Sequence, residues 1–368
     1  MENERNLFFC QLSGNFIYKL ESSMSYRIIT IKLFSALMLL VICLSCTGNQ
    51  SGLRAKFTRI DAGLLTSRTY ATASATWVDA DNDGDADLYV VNGYGAMEEE
   101  IIPNPNFFYR NNGDGTFTSV DEHPLAKGLT TSGNSTWADY DNDGDLDVFI
   151  ANQRDENNEL YMAGPDGTYD RITTGAMVND GGKSFSSVWV DMNNDGWVDL
   201  HVLNGGLSRD PQPDFVYRNN GDGTFERLDN IALAVNSLIS AGAAWGDYDH
   251  DGDMDVIIPL IDYTAHPIFR NDGNWVFSDV TEEIALSVLP LTFNPAGEVA
   301  AWVDIDNDLD LDLFRGAAGG YIDFLYLNDG SGQFKKAAGG AIGTESISSS
   351  DAAWGDFDND GDIDMVSS

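Results

Sequence analysis

The sequence predicts an all-β fold, a β-propeller built of four-stranded blades, and three observations carry that prediction. A segment of the form W-x-D-x-D-x-D-G-D-x-D recurs six times, from Trp77, Trp137, Trp189, Trp245, Trp302 and Trp354, at steps of 52 to 60 residues, with Asn193 and Trp197 replacing Asp in the third copy and Leu309 replacing Gly in the fifth. A second segment follows each of the first five copies: Tyr/Phe-Arg-Asn and a Gly-rich turn at Phe108, Val216 and Ile268, with looser copies at Leu160 (L-Y-M-A-G-P-D-G-T-Y) and Leu325 (L-Y-L-N-D-G-S-G-Q-F). Composition agrees: 37 Gly against 10 Pro suit many tight turns, and 43% hydrophobic residues supply a packed core. Four short strands repeated every ~40–55 residues are the sequence sign of propeller blades.

Residues 1–46 read as a signal segment. Leu33 to Leu44 is an apolar run preceded by Arg27 and Lys32, the length of a signal core and too short for a membrane span. Met24 opens a better signal than Met1, so Met24 is the expected true start. The run ends in Leu44-Ser45-Cys46, which resembles a bacterial lipoprotein signal. That resemblance implies lipidation of Cys46, the only lipid anchor expected, although Cys43 stands where Leu is usual. All three cysteines (Cys10, Cys43, Cys46) lie in this segment, so no disulfide or thiol chemistry is available beyond it. Residues 47–55 form a short linker, and 56–368 the propeller.

Each unit reads as strand A, a loop, strand B, strand C, a turn and strand D. Strand A is small and apolar and ends at the tryptophan, as in Ala300-Ala301-Trp302; small residues suit the crowded axis. The tryptophans themselves read as inter-blade core. Strand B is an apolar run such as Asp147-Val148-Phe149-Ile150. Strand C carries the Tyr-Arg-Asn pattern, and Asn-Gly or Asp-Gly then signals a hairpin into strand D, as in Phe117-Thr118-Ser119-Val120. Phe57-Thr58-Arg59-Ile60-Asp61 reads as a strand D without a blade before it, of the kind propellers lend to their last blade. The sixth unit holds strands A and B only, so the last blade is expected to be incomplete, with about six to seven blades in the complete protein.

The chemistry lies in the A–B loops. Counted from the first aspartate, side-chain oxygens fall at positions 1, 3, 5 and 9, with Gly at position 6 and a main-chain carbonyl available at position 7. The predicted ligand sets are Asp79, Asp81, Asp83, Asp85 and Asp87; Asp139, Asp141, Asp143, Asp145 and Asp147; and Asp191, Asn193, Asp195, Trp197 and Asp199. The later ones are Asp247, Asp249, Asp251, Asp253 and Asp255; Asp304, Asp306, Asp308, Asp310 and Asp312; and Asp356, Asp358, Asp360, Asp362 and Asp364. The fourth member of each set contributes its carbonyl. Converging carboxylates repel one another without a cation. Hard oxygen donors on a flexible loop suit Ca²⁺, up to six ions. The helical Ca²⁺ hand is excluded, because position 12 carries no carboxylate and the flanks are strands. In the fifth loop Leu309 replaces Gly, where a Cβ at positive φ is costly, so the Asp304 loop is expected to be weakest.

These loops and the Tyr-Arg-Asn-Asn-Gly-Asp-Gly-Thr-Phe element resemble the VCBS/FG-GAP repeat family, whose blades carry D-x-D-x-D-G-x-x-D calcium loops as in integrin α-subunit heads. The fuller motif is similar to bacterial relatives of cartilage acidic protein, without their C-terminal ASPIC/UnbV domain. The resemblance implies Ca²⁺ on the matching residues and a function in adhesion or recognition.

The formal net charge of −39 argues against nucleic acid and anionic membranes as partners. Yet 28 of the 59 acids sit in the six nine-residue loops, which hold no base. No catalytic motif is present, and the four histidines (His123, His201, His250, His266) are scattered; His250, at position 4 of its loop, is expected to point outward. In an antiparallel blade the A–B loops and C–D turns share one face and the B–C loops the other. The B–C face, with Tyr94, Glu98 to Glu100, Arg154, Arg209, Tyr263 and His266, is the expected site for a protein or glycan ligand. The reading is an exported, non-catalytic binding or adhesion module at the bacterial cell envelope, an outer-membrane or surface lipoprotein or else periplasmic or secreted. The competing readings are the scaffold of a polysaccharide-degrading enzyme and a purely structural envelope protein.

Overall fold

Strand B is buried at every position in the five four-stranded blades because it is covered on both faces, and this governs the whole architecture. In the computed structural model, residues 72–93, 104–206, 210–261, 266–285, 299–316, 322–337, 349, 351–356 and 360–367 are described, with the isolated residues 65 and 342 and three short N-terminal strands. Those strands, β1 (Phe9–Leu12), β2 (Phe16–Leu20) and β3 (Phe57–Arg59), form one antiparallel sheet.

Five four-stranded antiparallel sheets follow. Blade I is β4 (Thr72–Val78), β5 (Asp87–Asn92), β6 (Phe107–Asn111) and β7 (Phe117–Ser119). Blade II is β8 (Ser132–Ala138), β9 (Asp147–Asn152), β10 (Glu159–Gly164) and β11 (Thr168–Ile172). Blade III is β12 (Ser184–Val190), β13 (Asp199–Asn204), β15 (Phe215–Asn219) and β16 (Phe225–Arg227); β14 (Gln212–Pro213) pairs instead with β17 (Ser237–Leu238). Blade IV is β18 (Ala244–Gly246), β19 (Asp255–Ile257), β20 (Ile268–Asn271) and β21 (Phe277–Asp279). Blade V is β22 (Ala300–Val303), β23 (Asp312–Arg315), β24 (Phe324–Asn328) and β25 (Phe334–Lys336). The sixth unit contains β26 (Ala352–Gly355) and β27 (Asp364–Ser367). Strand order within every four-stranded blade is sequential, A-B-C-D.

The sheets stack face to face, and successive side chains of one strand enter opposite interfaces. In β9, Val148 and Ile150 pack with Tyr89 and Phe108 of blade I, whereas Phe149 and Ala151 pack with Trp189 and Leu200 of blade III. The third interface joins Leu203 and Val216 to Val256 and Phe269, and the fourth joins Ile257 and Ile268 to Leu313 and Tyr326. The repeat tryptophans belong to these cores: Trp189 is fully buried, and Trp137, Trp245 and Trp302 pack at the margins. The innermost strands β4, β8 and β12 lie side by side, as do β18, β22 and β26.

β3 confirms the strand expected near Phe57, but its partner is β2 rather than the last blade. A lent strand D needs a strand C to pair with, and the described part of the sixth unit contains only A and B. The signal core, Met24 and Cys46 lie outside the described residues. Among the described residues, no helix is long and apolar enough to cross a membrane.

Candidate metal centres

Each A–B loop folds on its own first aspartate. In loop I the amide of Gly84 donates to Asp79 Oδ2 (3.0 Å), and the amide of Asp85 donates to Asp83 Oδ1 (2.9 Å). The same bonds recur as Gly144 to Asp139, Gly196 to Asp191, Gly252 to Asp247 and Gly361 to Asp356, all at 2.8–3.0 Å. The position-6 glycines adopt φ of 88–101°, which brings their amides inward. Leu309 takes the same place at φ 78° and still donates to Asp304 Oδ2 (3.0 Å), with its side chain 80% exposed.

This winding brings positions 1, 3 and 5 together. Asp79/Asp81/Asp83, Asp139/Asp141/Asp143, Asp247/Asp249/Asp251 and Asp304/Asp306/Asp308 each place three carboxylate oxygens within 4.8 Å of one another, so each group could hold a metal ion. Asp79 Oδ1 and Asp249 Oδ1 are buried and accept no hydrogen bond, as oxygens reserved for a cation would be. Burial first, then the neighbouring carboxylates, push Asp79, Asp141, Asp249 and Asp306 above the usual carboxylate range. In loop III, Asn193 keeps an oxygen at position 3 and accepts from the Asp195 amide (3.1 Å). Asp358, position 3 of the sixth loop, lies outside the described residues.

Position 9 is not part of the triplet; it braces the loop from below. Asp87, Asp147, Asp199, Asp255 and Asp312 open strand B and are almost completely buried. One oxygen of each accepts a strand C amide: Asn111, Ala163, Asn219, Asn271 or Asn328, at 2.7–2.8 Å. In four of them the other oxygen accepts the position-2 amide of the same loop: Tyr140, Met192, Tyr248 or Ile305, at 3.0–3.2 Å. Burial outweighs these bonds and raises the acids to about 7 for Asp87, Asp199 and Asp255 and about 8 for Asp147; Asp312 shifts the same way.

Two sets of contacts between blades were not legible in the motif. The first uses the Asn that ends strand C. Asn219, Asn271 and Asn328 donate through Nδ2 to the position-2 carbonyl of the preceding blade's loop, Tyr140, Met192 and Tyr248, each at 2.8 Å. The same amides reach the position-8 carbonyls of their own loops, Val198, Met254 and Leu311, at 3.1–3.2 Å. Blade II has Ala163 at this place, and there the hydroxyl of Tyr169 takes over, 3.1 Å from Ala80 O and 3.2 Å from Leu146 O. The substitution of one donor for another at the same two carbonyls shows that the contact, not the residue type, is what the fold maintains.

The second set joins loop to loop at position 4, where each described side chain leaves a left-handed backbone (φ 57–61°). Asn82 Nδ2 donates to Asp145 Oδ1 (2.7 Å), and Asn142 Nδ2 to Gly196 O (3.3 Å). Asn194 Nδ2 donates to Gly252 O (3.0 Å) and Asp253 Oδ1 (2.7 Å), and Asn307 Nδ2 to Gly361 O (3.0 Å). His250 points away from its own loop, as expected, is exposed, and meets Asp310 Oδ1 of the next loop at 2.8 Å. Within its own loop position 4 does face away from the ligands; the adjacent loop occupies that outer space.

The turns sit where the topology requires. Gly113 and Gly330, in C–D turns, lie against Asp85 and Asp310 of their own A–B loops, while Gly167 lies against Asp81 of the preceding one. On the B–C face, Arg154 is exposed at φ 66°. His266 is not a surface residue: it is 1% exposed, accepts the Leu260 amide through Nδ1 (2.8 Å) and meets Arg315 through Nε2. It belongs to a second series, in which Asn106, Asn158 and Asp214 accept the last strand B amides at 2.7–2.9 Å. Tyr94, Glu98 to Glu100, Arg209 and Tyr263 lie outside the described residues.

Repeated four-stranded sheets, each turning through an aspartate loop at its A–B corner, define a repeat β-propeller with potential metal loops on one face. The chain belongs to the FG-GAP-like repeat family, whose sequence profile matches residues 99–150, 139–202, 204–258 and 304–367. No curated protein matches the sequence. Among solved structures, the chain is similar to an Agrocybe aegerita lectin that recognises non-reducing terminal N-acetylglucosamine. Identity is 16%, with 84% of this chain and 79% of that chain covered and a TM-score of 0.56. It also matches an exo-β-1,3-galactanase from Phanerochaete chrysosporium at 8% identity, 75% and 69% coverage and a TM-score of 0.36. The lectin likeness supports the propeller fold.

Proposed function

We propose that the protein is a calcium-binding β-propeller of the cell envelope that acts as a non-catalytic recognition module. The observation that carries this reading is the repeated aspartate triplet, three carboxylate oxygens within 4.8 Å in at least four loops. Such oxygen-only donor sets, wound on a flexible loop, suit Ca²⁺ better than Mg²⁺ or a transition metal. In each loop positions 1, 3 and 5 would hold the ion with the position-7 carbonyl, and the position-9 carboxylate would hold the loop onto strands B and C. The ion would supply charge neutralisation that the loop lacks alone. With that face committed to metal, the B–C loops are the surface left for a ligand of protein or glycan chemistry. The lectin offers a fold precedent for a glycan. Export would proceed through residues 1–46, with Cys46 as the lipid attachment point.

Calcium titration of chelator-stripped protein, followed by a glycan array with and without Ca²⁺, tests the reading. Stoichiometric Ca²⁺ binding and calcium-dependent retention on a defined glycan are expected. Failure to bind Ca²⁺ would sink the metal assignment, and depolymerisation of a bound polysaccharide would sink the non-catalytic one.

A further inference from the structure

The position-4 contacts connect all six loops, and each joins two segments that carry predicted ligands. Position 4 lies between the position-3 and position-5 carboxylates of its own loop. Its acceptors, the position-6 carbonyl and the position-7 carboxylate, belong to the segment that presents the position-7 carbonyl in the next loop. The five junctions, I–II through V–VI, all carry the contact. Four use an Asn amide and one an imidazole, so the chemistry required is a short side-chain donor at a left-handed backbone position.

The geometry points to a neighbour-coupled metal array, in which filling one aspartate loop orders the ligands of the next through the position-4 side chain. The inference rests on the calcium reading above. An ion in loop IV fixes the Gly252–Asp253 peptide; that peptide holds Asn194, and Asn194 holds Asn193 and Asp195 of loop III on either side. Coupling free energy is reciprocal, so loop III acts on loop IV by the same factor. The junction at His250 meets the loop that lacks glycine, so loop V, with Leu309, has Asp310 held from outside.

The test is a calcium titration of the full chain in which CaCl₂ itself is the probe. Asn194→Gly removes the donor, keeps every ligand and tolerates the positive φ. Total stoichiometry is expected to stay the same, while the loop III and IV sites weaken roughly threefold to tenfold, the loss of one or two hydrogen bonds. Asn194→His, which copies the natural arrangement at loop IV, is expected to restore the parent curve. A cycle isolates the coupling: Asp247→Ala disables loop IV and is expected to weaken loop III in the parent but not in the Asn194→Gly background. Filling of loop III is read from Trp197 emission, as the difference from a Trp197→Phe control. Asn142→Gly at the II–III junction repeats the measurement should Asn194→Gly fail to give the parental circular dichroism in saturating calcium. Equal loop III affinity with and without Asp247, or an Asn194→Gly curve superimposable on the parent, would overturn the proposal. A parent protein that takes up no calcium would overturn the calcium reading itself, a result distinct from either.

Discussion

Replacing Asn219 tests whether the strand C asparagines hold the blades together. Asn219 is 2% exposed and makes three side-chain hydrogen bonds: Nδ2 to Tyr140 O at 2.8 Å and Val198 O at 3.1 Å, and Oδ1 from the Gly221 amide at 2.9 Å. At about 1 kcal/mol net for each bond lost, Asn219→Ala should destabilise by about 3 kcal/mol, because the Tyr140 carbonyl stays buried without its donor. Asn219→Asp keeps the shape and the acceptor toward Gly221 but turns a carboxylate oxygen toward two carbonyls. It should be at least as damaging at neutral pH and partly relieved by acid. Tyr169→Phe removes one hydroxyl from the equivalent place in blade II and should cost about 1 kcal/mol. The assay is equilibrium urea unfolding in saturating calcium, comparing midpoints at a common slope. A change below about 0.5 kcal/mol for Asn219→Ala, with native circular dichroism, would mean that those carbonyls do not depend on the asparagine, and the latch would be refuted.

The raised carboxylates set a pH dependence. Asp87, Asp199 and Asp255 titrate near 7 and Asp147 near 8 when folded, against about 3.9 in an unfolded chain, so the folded state binds more protons across that window. Metal-free protein should therefore lose stability as pH rises from about 4 to about 8, and added calcium should raise Tm more at pH 8 than at pH 5; a metal-free Tm that climbs over this range would contradict the assignment. Leu309→Gly relieves a side chain at φ 78° that is mostly in solvent, so it should strengthen calcium uptake by the Asp304 loop, checked by stoichiometric titration at low calcium. Asp199→Asn places an NH₂ against the Asn219 or Met192 amide, and should cost about 1–3 kcal/mol in chemical denaturation and weaken loop III.

The repeat, the strand types and the loops that bring aspartates together were legible from residues 72 onward. They depend on interactions that close within a few residues: a loop folding on its own first aspartate, a hairpin turning at Asn-Gly, an apolar run buried on both faces. Position 9 was readable as an oxygen donor but not as a brace, because its partners are amides of strand C, 16 to 24 residues away. The tertiary structure alone decided which hydrogen bonds cross from blade to blade. Asn219 and Tyr140 are 79 residues apart, and nothing local distinguishes an asparagine that caps a turn from one that reaches a neighbour's carbonyl. Tyr169 stands in for that asparagine from a different strand, an equivalence that exists only in space. Position 4 carries the same lesson: a side chain directed away from its own loop meets the next one, because stacked blades bring successive loops into contact.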